Sequence, residues 1–514
     1  MKSKKLLLLL CFPLFCSCAP TVTEKKEFHN PVIPGDLADP TVIRLGETYY
    51  AAGTSSEWAP HYPLYVSEDL VNWKQTGSVF EKNPEWTTGS FWAPELYCMN
   101  NKVYVYYTAR NRAGVSYIGV ATADKPEGPY TDHGVVVEWG SEAIDAFILE
   151  DNGEHYISWK AYGLDDRPIE LIASKLSDDG LKPEGEPFSL MRDDERIGME
   201  GQHWFKYGDY YYMIYSVKGC CGPRSDYQVY VARSKDLKGP YEKYEGNPVL
   251  YGDGTDFISC GHGTVVTTPD ERMYYLCHAY LAGERFYNGR QAILQEMIMD
   301  ENGWIKFATG NIARITQPIP FDKTEQQPVA GFTDDFKNTK PSIAWSWNFV
   351  YSDVEVKTGN GVLQLSGKPK EGNNFGTAFC IRPLKPDYVY ETKVNNVNAS
   401  LKGLTMYGDH KNLIVLGVAG NKLILKEIRN GQETVISEKE LQATPYLRIE
   451  VAKGCYCSFS YSEDGNTWKE METKPSPKDY SYLVRWDRVA RPGLIHIGLP
   501  EESAEFTAFS MDLK

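Results

Sequence analysis

Three short acidic stretches carry the residues best suited to chemistry: Leu37-Ala38-Asp39-Pro40, Ala143-Ile144-Asp145-Ala146 and Gly198-Met199-Glu200-Gly201. Hydrolysing a glycosidic bond needs an acid to protonate the leaving oxygen and a second carboxylate acting as base towards water or as nucleophile. Two like charges at close range raise one pKa, which keeps the acid protonated near neutrality. A third carboxylate can hold the acid in place and tune it. Asp and Glu are also common turn formers at strand ends, so any one of the three alone reads first as structural. The set gains meaning only if the fold brings these distant residues to one point.

The elements that must do so are strands. Short alternating apolar runs are separated by Gly, Asp, Asn and Pro, and helical periodicity is hard to find. From residue 28 to about 320 one phrase recurs five times. A first strand leads through a turn such as Leu45-Gly46-Glu47 or Asp151-Asn152-Gly153 into a Tyr-rich strand (Tyr49-Tyr50, Tyr104-Val105-Tyr106, Tyr156, Tyr211-Tyr212, Tyr274-Tyr275). A third strand follows: Leu64 to Ser67, Ile118 to Ala121, Leu171 to Ser174 and Val229 to Ala232. Punctuation comes from Asp69-Leu70-Val71-Asn72-Trp73 or Gly-Pro-Tyr at 128–130 and 239–241. Five four-stranded units at this period predict a five-bladed β-propeller. Asp39, Trp92, Asp145, Glu200 and His262 stand just before the five first strands. Innermost strands of a propeller converge on the axis, so the three carboxylates are expected to meet there. Trp58, Trp92 and Trp159, each near a predicted channel-facing loop, and His262 are candidate sugar contacts, with packing as the competing role.

The rest of the chain sets the context. A length of 514 residues exceeds one ordinary core. Residues 1–18 read as a lipoprotein-type signal: Lys2, Lys4 and Lys5 precede an apolar run at 6–14 that is too short to span a bilayer, and Cys18 is the candidate acylated residue. Residues 19–27 read as a tether, 28–320 as the propeller, 321–332 as a linker and 333–514 as a β-sandwich. The hairpin signals Asn360-Gly361, Asn430-Gly431 and Asp464-Gly465 support the last assignment. The predicted product is an exported lipoprotein, periplasmic or at the cell surface, touching membrane only through its lipid; simple secretion is the alternative. A net charge of −15 argues against nucleic acid as a partner. Tyr (35), Phe (20) and Trp (12) suit both strands and flat sugar faces. Eleven Cys include no C-x-x-C pair, so zinc is unsupported; Cys220-Cys221 reads as buried small residues, with a disulfide as the lesser option.

At the level of motifs the chain resembles glycoside hydrolase family 43. The resemblance rests on Asn30-Pro31-Val32 with Ala38-Asp39-Pro40-Thr41-Val42, Phe91-Trp92-Ala93-Pro94-Glu95, Ile144-Asp145-Ala146, Met199-Glu200-Gly201-Gln202-His203, Gly261-His262-Gly263-Thr264-Val265-Val266, and Arg290 ahead of Ala292-Ile293-Leu294. It implies Asp39 as general base, Glu200 as general acid, Asp145 as the residue that orients the acid and sets its pKa, and Arg290 in the sugar subsite. Asp145 is followed by Ala where many members have Pro, and Glu200 by Gly-Gln where Gly-Pro is frequent. Thr333-Asp334-Asp335-Phe336, Trp345-Ser346-Trp347 and the stretch from Tyr461 to Trp468 resemble, more loosely, the concanavalin-like sandwich of β-xylosidases in that family. The implied activity is exo-acting, inverting hydrolysis of arabinose- or xylose-containing glycans. No cofactor is required, with a structural calcium in the channel near His262 as an option seen in relatives. The competing functions are an endo-arabinanase, suggested by Gly219-Cys220-Cys221-Gly222, a retaining fructan-type hydrolase, and a non-catalytic glycan-binding lipoprotein.

Overall fold

The computed structural model describes residues 26–162, 168–284, 287–484 and 488–514. Cys18 and the signal lie outside them. The described chain is nearly all strand, with one 3-10 turn at Ser481–Leu483.

Five antiparallel sheets, four of them four-stranded and the fourth in order extended by a short fifth strand at Leu250–Tyr251, follow one another in chain order and form the blades of a propeller. Their innermost strands are Thr41–Leu45, Thr87–Met99, Ala143–Asp151, Glu200–Tyr207 and Phe257–Thr267. The Tyr-rich second strands are Thr48–Ala52, Lys102–Asn111, Glu154–Ala161, Tyr210–Val217 and Met273–Leu281. The local cause is visible in the turns. Asn152 and Gly153 adopt φ of 53° and 81° between the first two strands of blade 3. Two successive left-handed residues give a turn whose twist matches that of the strands it joins, and Asn-Gly reaches it at little cost. Alternation then sends every second side chain between neighbouring blades, where Tyr106, Ile118, Ile148 and Trp159 pack in one cluster and Trp204, Met213 and Phe147 in another. The ring is closed by its ends: Glu27–His29 pairs antiparallel with Thr316–Pro318, and Ile33 bridges to Ala292 in the last blade.

Residues from Phe332 onward form a two-sheet sandwich around Trp345, Phe379, Tyr390, Leu404, Leu425 and Phe509. Asn360-Gly361 and Asn430-Gly431 are again left-handed pairs joining paired strands. The segment between the domains is strapped to the propeller. Gln326 and the His29 backbone exchange two hydrogen bonds (2.8 and 2.7 Å), and the Gln327 N–H donates to Asn72 Oδ1 at 2.8 Å.

The domain contact corrects one sequence expectation. Trp58 does not face the channel. With Ala59 it forms a short strand that adds to the edge of one sandwich sheet, pairing with Trp347 and Asn348. Its ring meets Tyr407 edge-on at 5.8 Å, and the Arg491 guanidinium lies 4.1 Å from its centroid. Strand addition of this kind supplies backbone hydrogen bonds at an otherwise open edge. Beside it, Arg488 makes a two-pronged contact with Glu57 (Nε to Oε2 2.7 Å, Nη2 to Oε1 3.1 Å).

Candidate active site

Each inner strand, or the residues just ahead of it, carries the same irregularity. Asp39, Ala93, Asp145, Gly201 and His262 have φ of 51°, 38°, 59°, 59° and 42°. In blades 2 to 5 this residue falls where pairing with the second strand slips, between Trp92 and Glu95, Ile144 and Phe147, Glu200 and His203, and Gly261 and Gly263. A β-bulge with a left-handed residue re-aims the side chains beside it. The ring of equivalent positions expected from sequence is therefore off by one in two blades. Ala93 and Gly201, not Trp92 and Glu200, occupy the bulge. Gly201 is required there: a Cβ would sit 2.6 Å from the His262 ring.

Opposite each bulge, a side chain from the second strand reaches the next blade. These residues pair with the position just before the bulge: Thr108 with Trp92, Lys160 with Ile144, Ser216 with Glu200 and His278 with Gly261, while the Thr54 N–H donates to Ala38 O. Four of them accept a bulge N–H from the following blade. Ala93 donates to Thr54 Oγ1 (2.8 Å), Asp145 to Thr108 Oγ1 (3.1 Å), His262 to Ser216 Oγ (2.8 Å) and Asp39 to His278 Nδ1 (3.1 Å). The fifth is a lysine and cannot accept. The Gly201 N–H turns instead to Asp145 Oδ2 at 3.0 Å, and Lys160 Nζ donates to Glu200 Oε2 at 2.6 Å.

The three carboxylates meet at this ring. Asp39 Oδ2 accepts from Thr54 Oγ1 (2.6 Å), and Oδ1 faces Arg290 (3.3 Å), His262 Nδ1 (3.4 Å) and His278 Nδ1 (3.2 Å). Burial alone raises its pKa, but the Arg290 guanidinium, with His262, outweighs it and holds Asp39 well below the usual range. Burial keeps His278 neutral, with a pKa down at about 4. His262 Nδ1 also lies 3.9 Å from Asp145 Oδ2, so one imidazole links two of the carboxylates. Glu200 Oε1 accepts from the Tyr227 hydroxyl at 3.0 Å.

The order of the two remaining pKa values reverses the simple expectation. Burial, helped by the Glu200 charge and opposed by His262, pushes Asp145 up to about 6. Glu200 is raised by burial but lowered on balance, because Lys160 pairs with it directly. In this geometry burial favours the neutral form of Asp145, while Lys160 favours the ionised form of Glu200.

Other predicted site residues separate clearly. Arg290 and His262 join the cluster. Trp92 is partly exposed beside it, its carbonyl near the Tyr62 hydroxyl and its ring 5.5 Å from Arg110. Trp159 does not join. It is 1% exposed and packs edge-on against Trp139 at 5.7 Å. Strand alternation decides this, since adjacent residues face opposite ways and Lys160 takes the channel side. His203 is buried, its pKa pushed down to about 3 by burial, and it packs against Phe147 at 4.3 Å. Cys220 and Cys221 are half-buried and joined as a vicinal disulfide, the option ranked lower from sequence. Among the described residues no group of three or more His, Cys, Asp or Glu side chains is placed to hold a metal ion. Sequence reasoning missed Thr54, Lys160, Tyr227 and His278. For Thr54, Lys160 and His278 the signal was the matching spacing after the first-strand motifs; Tyr227, just ahead of the third strand of its blade, had none.

One more carboxylate lies beneath the ring. Glu95 is 5% exposed, accepts from Thr41 Oγ1 at 2.8 Å, and has no cation within ion-pair distance among the described residues. Burial pushes its pKa up to about 8. Folded protein thus keeps a proton that the unfolded chain loses above its ordinary carboxyl pKa. Stability falls with rising pH between that value and about 8, by about 1.4 kcal/mol per unit, and levels off beyond. Glu95→Gln keeps the acceptor and removes the titration. Its melting temperature relative to the parent is expected to climb from pH 5 to pH 8, as calorimetry at stepped pH would show; a constant difference would contradict the assignment.

The relatives agree with the geometry. The sequence profile described as Glycosyl hydrolases family 43 matches residues 28–305, and that of the Beta xylosidase C-terminal Concanavalin A-like domain matches 333–486. The chain is 28% identical over 477 residues to a non-reducing end alpha-L-arabinofuranosidase of Bacteroides ovatus, covering 86% of this chain and 83% of that one. It is 25% identical over 498 residues to a xylan 1,3-beta-xylosidase of a Vibrio species, covering 86% and 90%. The crystal structure of a family 43 protein from Bacillus licheniformis superposes with a TM-score of 0.82 at 21% identity, over 95% of this chain and all of the other. With a matching profile over the whole propeller and a ring of carboxylates at its axis, this chain belongs to glycoside hydrolase family 43.

Proposed function

We propose that the enzyme is an inverting, exo-acting pentosidase that releases a terminal arabinofuranose or xylose from plant-type glycans. One observation carries the assignment of roles: the carboxylates meet at one ring yet have separate partners. Asp39 is surrounded by Arg290, His262 and His278, whereas Glu200 is held by Lys160 and Tyr227. Asp39 acts as base towards water, Glu200 as acid towards the leaving oxygen, and Asp145, which accepts the Gly201 N–H, orients the Glu200 backbone. Arg290, His262 and Trp92 are the sugar contacts. A sugar hydroxyl that draws Arg290 or His262 away from Asp39 makes that carboxylate more basic. The names of the relatives that match over most of this chain support pentosides as substrates. The sandwich sheet joined by Trp58–Ala59, four residues beyond Thr54, supports exo action, because a second domain held there would close one side of the cleft. Lys2, Lys4, Lys5, the apolar run at 6–14 and Cys18 support an exported, lipid-anchored location.

A panel of aryl pentosides, with proton NMR of the first-formed sugar, tests this. The expected result is turnover of an arabinofuranoside or a xyloside with the inverted anomer appearing first. Retained configuration, or no turnover of any pentoside, would overturn the proposal.

A further inference from the structure

The ring of second-strand side chains is uniform in four blades and broken in one. Thr54, Thr108, Ser216 and His278 each accept a backbone N–H from the next blade; Lys160 occupies the same position and instead donates to a carboxylate. Lys160 is 2% exposed, with its ammonium 4.1 Å from the centre of the Tyr162 ring. Its hydrogen-bond partner among the described residues is Glu200. Burying a lysine costs stability unless it is paired, so a small acceptor such as Thr would serve the fold better. The position of the exception is informative. It faces Glu200, one residue before the bulge that in the other blades receives the second-strand side chain.

Both oxygens of Glu200 accept hydrogen bonds, Oε2 from Lys160 and Oε1 from Tyr227. A group so engaged is a carboxylate. To carry a proton on Oε2 it must lose the Lys160 contact. We propose that Lys160 is a positioning residue that latches Glu200 in its ionised form in the free enzyme and is drawn off by bound substrate, so that the acid is protonated only when a glycoside occupies the site. No bond other than proton transfers is involved: the ammonium keeps its protons, and Glu200 takes one from Asp145 or solvent. The proposal rests on the reading of Glu200 as general acid.

The other groups facing Glu200 do not supply this latch. Asp145 and Glu142 on blade 3 are carboxyls whose negative charge, when ionised, favours proton uptake by Glu200. Tyr227 on blade 4 is a neutral donor, its phenol pushed far up by burial. Tyr162 lies over Lys160, and Arg110 on blade 2 acts on Glu142. His262 on blade 5 and the Tyr227 hydroxyl also favour the ionised form of Glu200, but His262 makes its close contacts with Asp39 and Asp145, and Tyr227 carries no charge. Lys160 is the cation in direct contact.

The test is the pH dependence of the full-length enzyme on a pentoside that it hydrolyses. The basic limb of kcat/KM reports free enzyme and that of kcat the complex. In the parent enzyme the kcat limb is expected at higher pH than the kcat/KM limb. In Lys160→Met the kcat/KM limb is expected to move up by about one pH unit or more, the usual effect of removing an opposite charge at contact distance. Lys160→Arg is expected to keep it near the parent position. Coincident limbs in the parent enzyme would overturn the proposal even if the Met variant failed to fold. A Met variant that lost rate with unmoved limbs would overturn it too, leaving Lys160 a structural residue. If Glu200→Gln keeps full activity on poor leaving groups, the acid assignment itself fails, which is a different result from an unmoved limb.

Discussion

Asp39→Asn is expected to lower kcat/KM on any pentoside by on the order of 10³-fold or more, while melting within a few degrees of the parent. The loss follows from chemistry: an amide has no lone pair basic enough to take the proton from attacking water. Survival of the fold follows from the surroundings. Asn keeps an oxygen for the Thr54 hydroxyl and the N–H that His278 accepts. What it gives up is the charge opposite Arg290, a guanidinium 7% exposed, and that sets the stability cost. Asn is therefore a better probe than Ala, which would leave a gap beside the guanidinium as well. Steady-state kinetics paired with a thermal melt decide the matter. Near-normal turnover by a folded Asn variant would remove Asp39 from the mechanism.

The second large effect depends on the leaving group. Glu200→Gln is expected to lose on the order of 10²- to 10⁴-fold on oligosaccharides, whose departing alkoxide needs a proton. On dinitrophenyl pentosides, whose leaving group departs unprotonated, most of the rate is expected to return. An equal loss on both substrates would point to a misfolded site or a different acid. The substitution also leaves Lys160 facing an amide in place of a carboxylate, so the melt is part of this measurement. Asp145, held up at about 6, cannot substitute for the lost acid, because its Oδ2 is committed to the Gly201 N–H and faces His262.

The strands and turns were legible because they depend on local chemistry. Asn-Gly pairs at 152, 360 and 430 take left-handed conformations wherever they fall, and period-2 alternation marks a half-buried strand whatever lies next to it. The five-fold repeat then made Asp39, Asp145, Glu200 and His262 neighbours, since strands that begin the same way in each blade begin at the same axis. Trp58 and Trp159 are both tryptophans near loops, and the sequence reading failed on them for different reasons. Trp58 is captured by the edge of the second domain, which is non-local information; Trp159 is buried by strand parity, a local signal that proximity to a loop overrode.

By itself, then, the sequence determined the five blades, the sandwich and the three acidic positions, because each rests on patterns a few residues long. Only the tertiary structure decided which side of each bulge carries the functional group. Asp39 and Asp145 occupy the left-handed residue, while Glu200 precedes it because His262 leaves no room for a side chain at 201. That one-residue offset places Glu200 against Lys160 and the Tyr227 hydroxyl, and gives three similar carboxylates three different sets of partners. Contacts between blades set it, and side chains from neighbouring blades are distant in sequence.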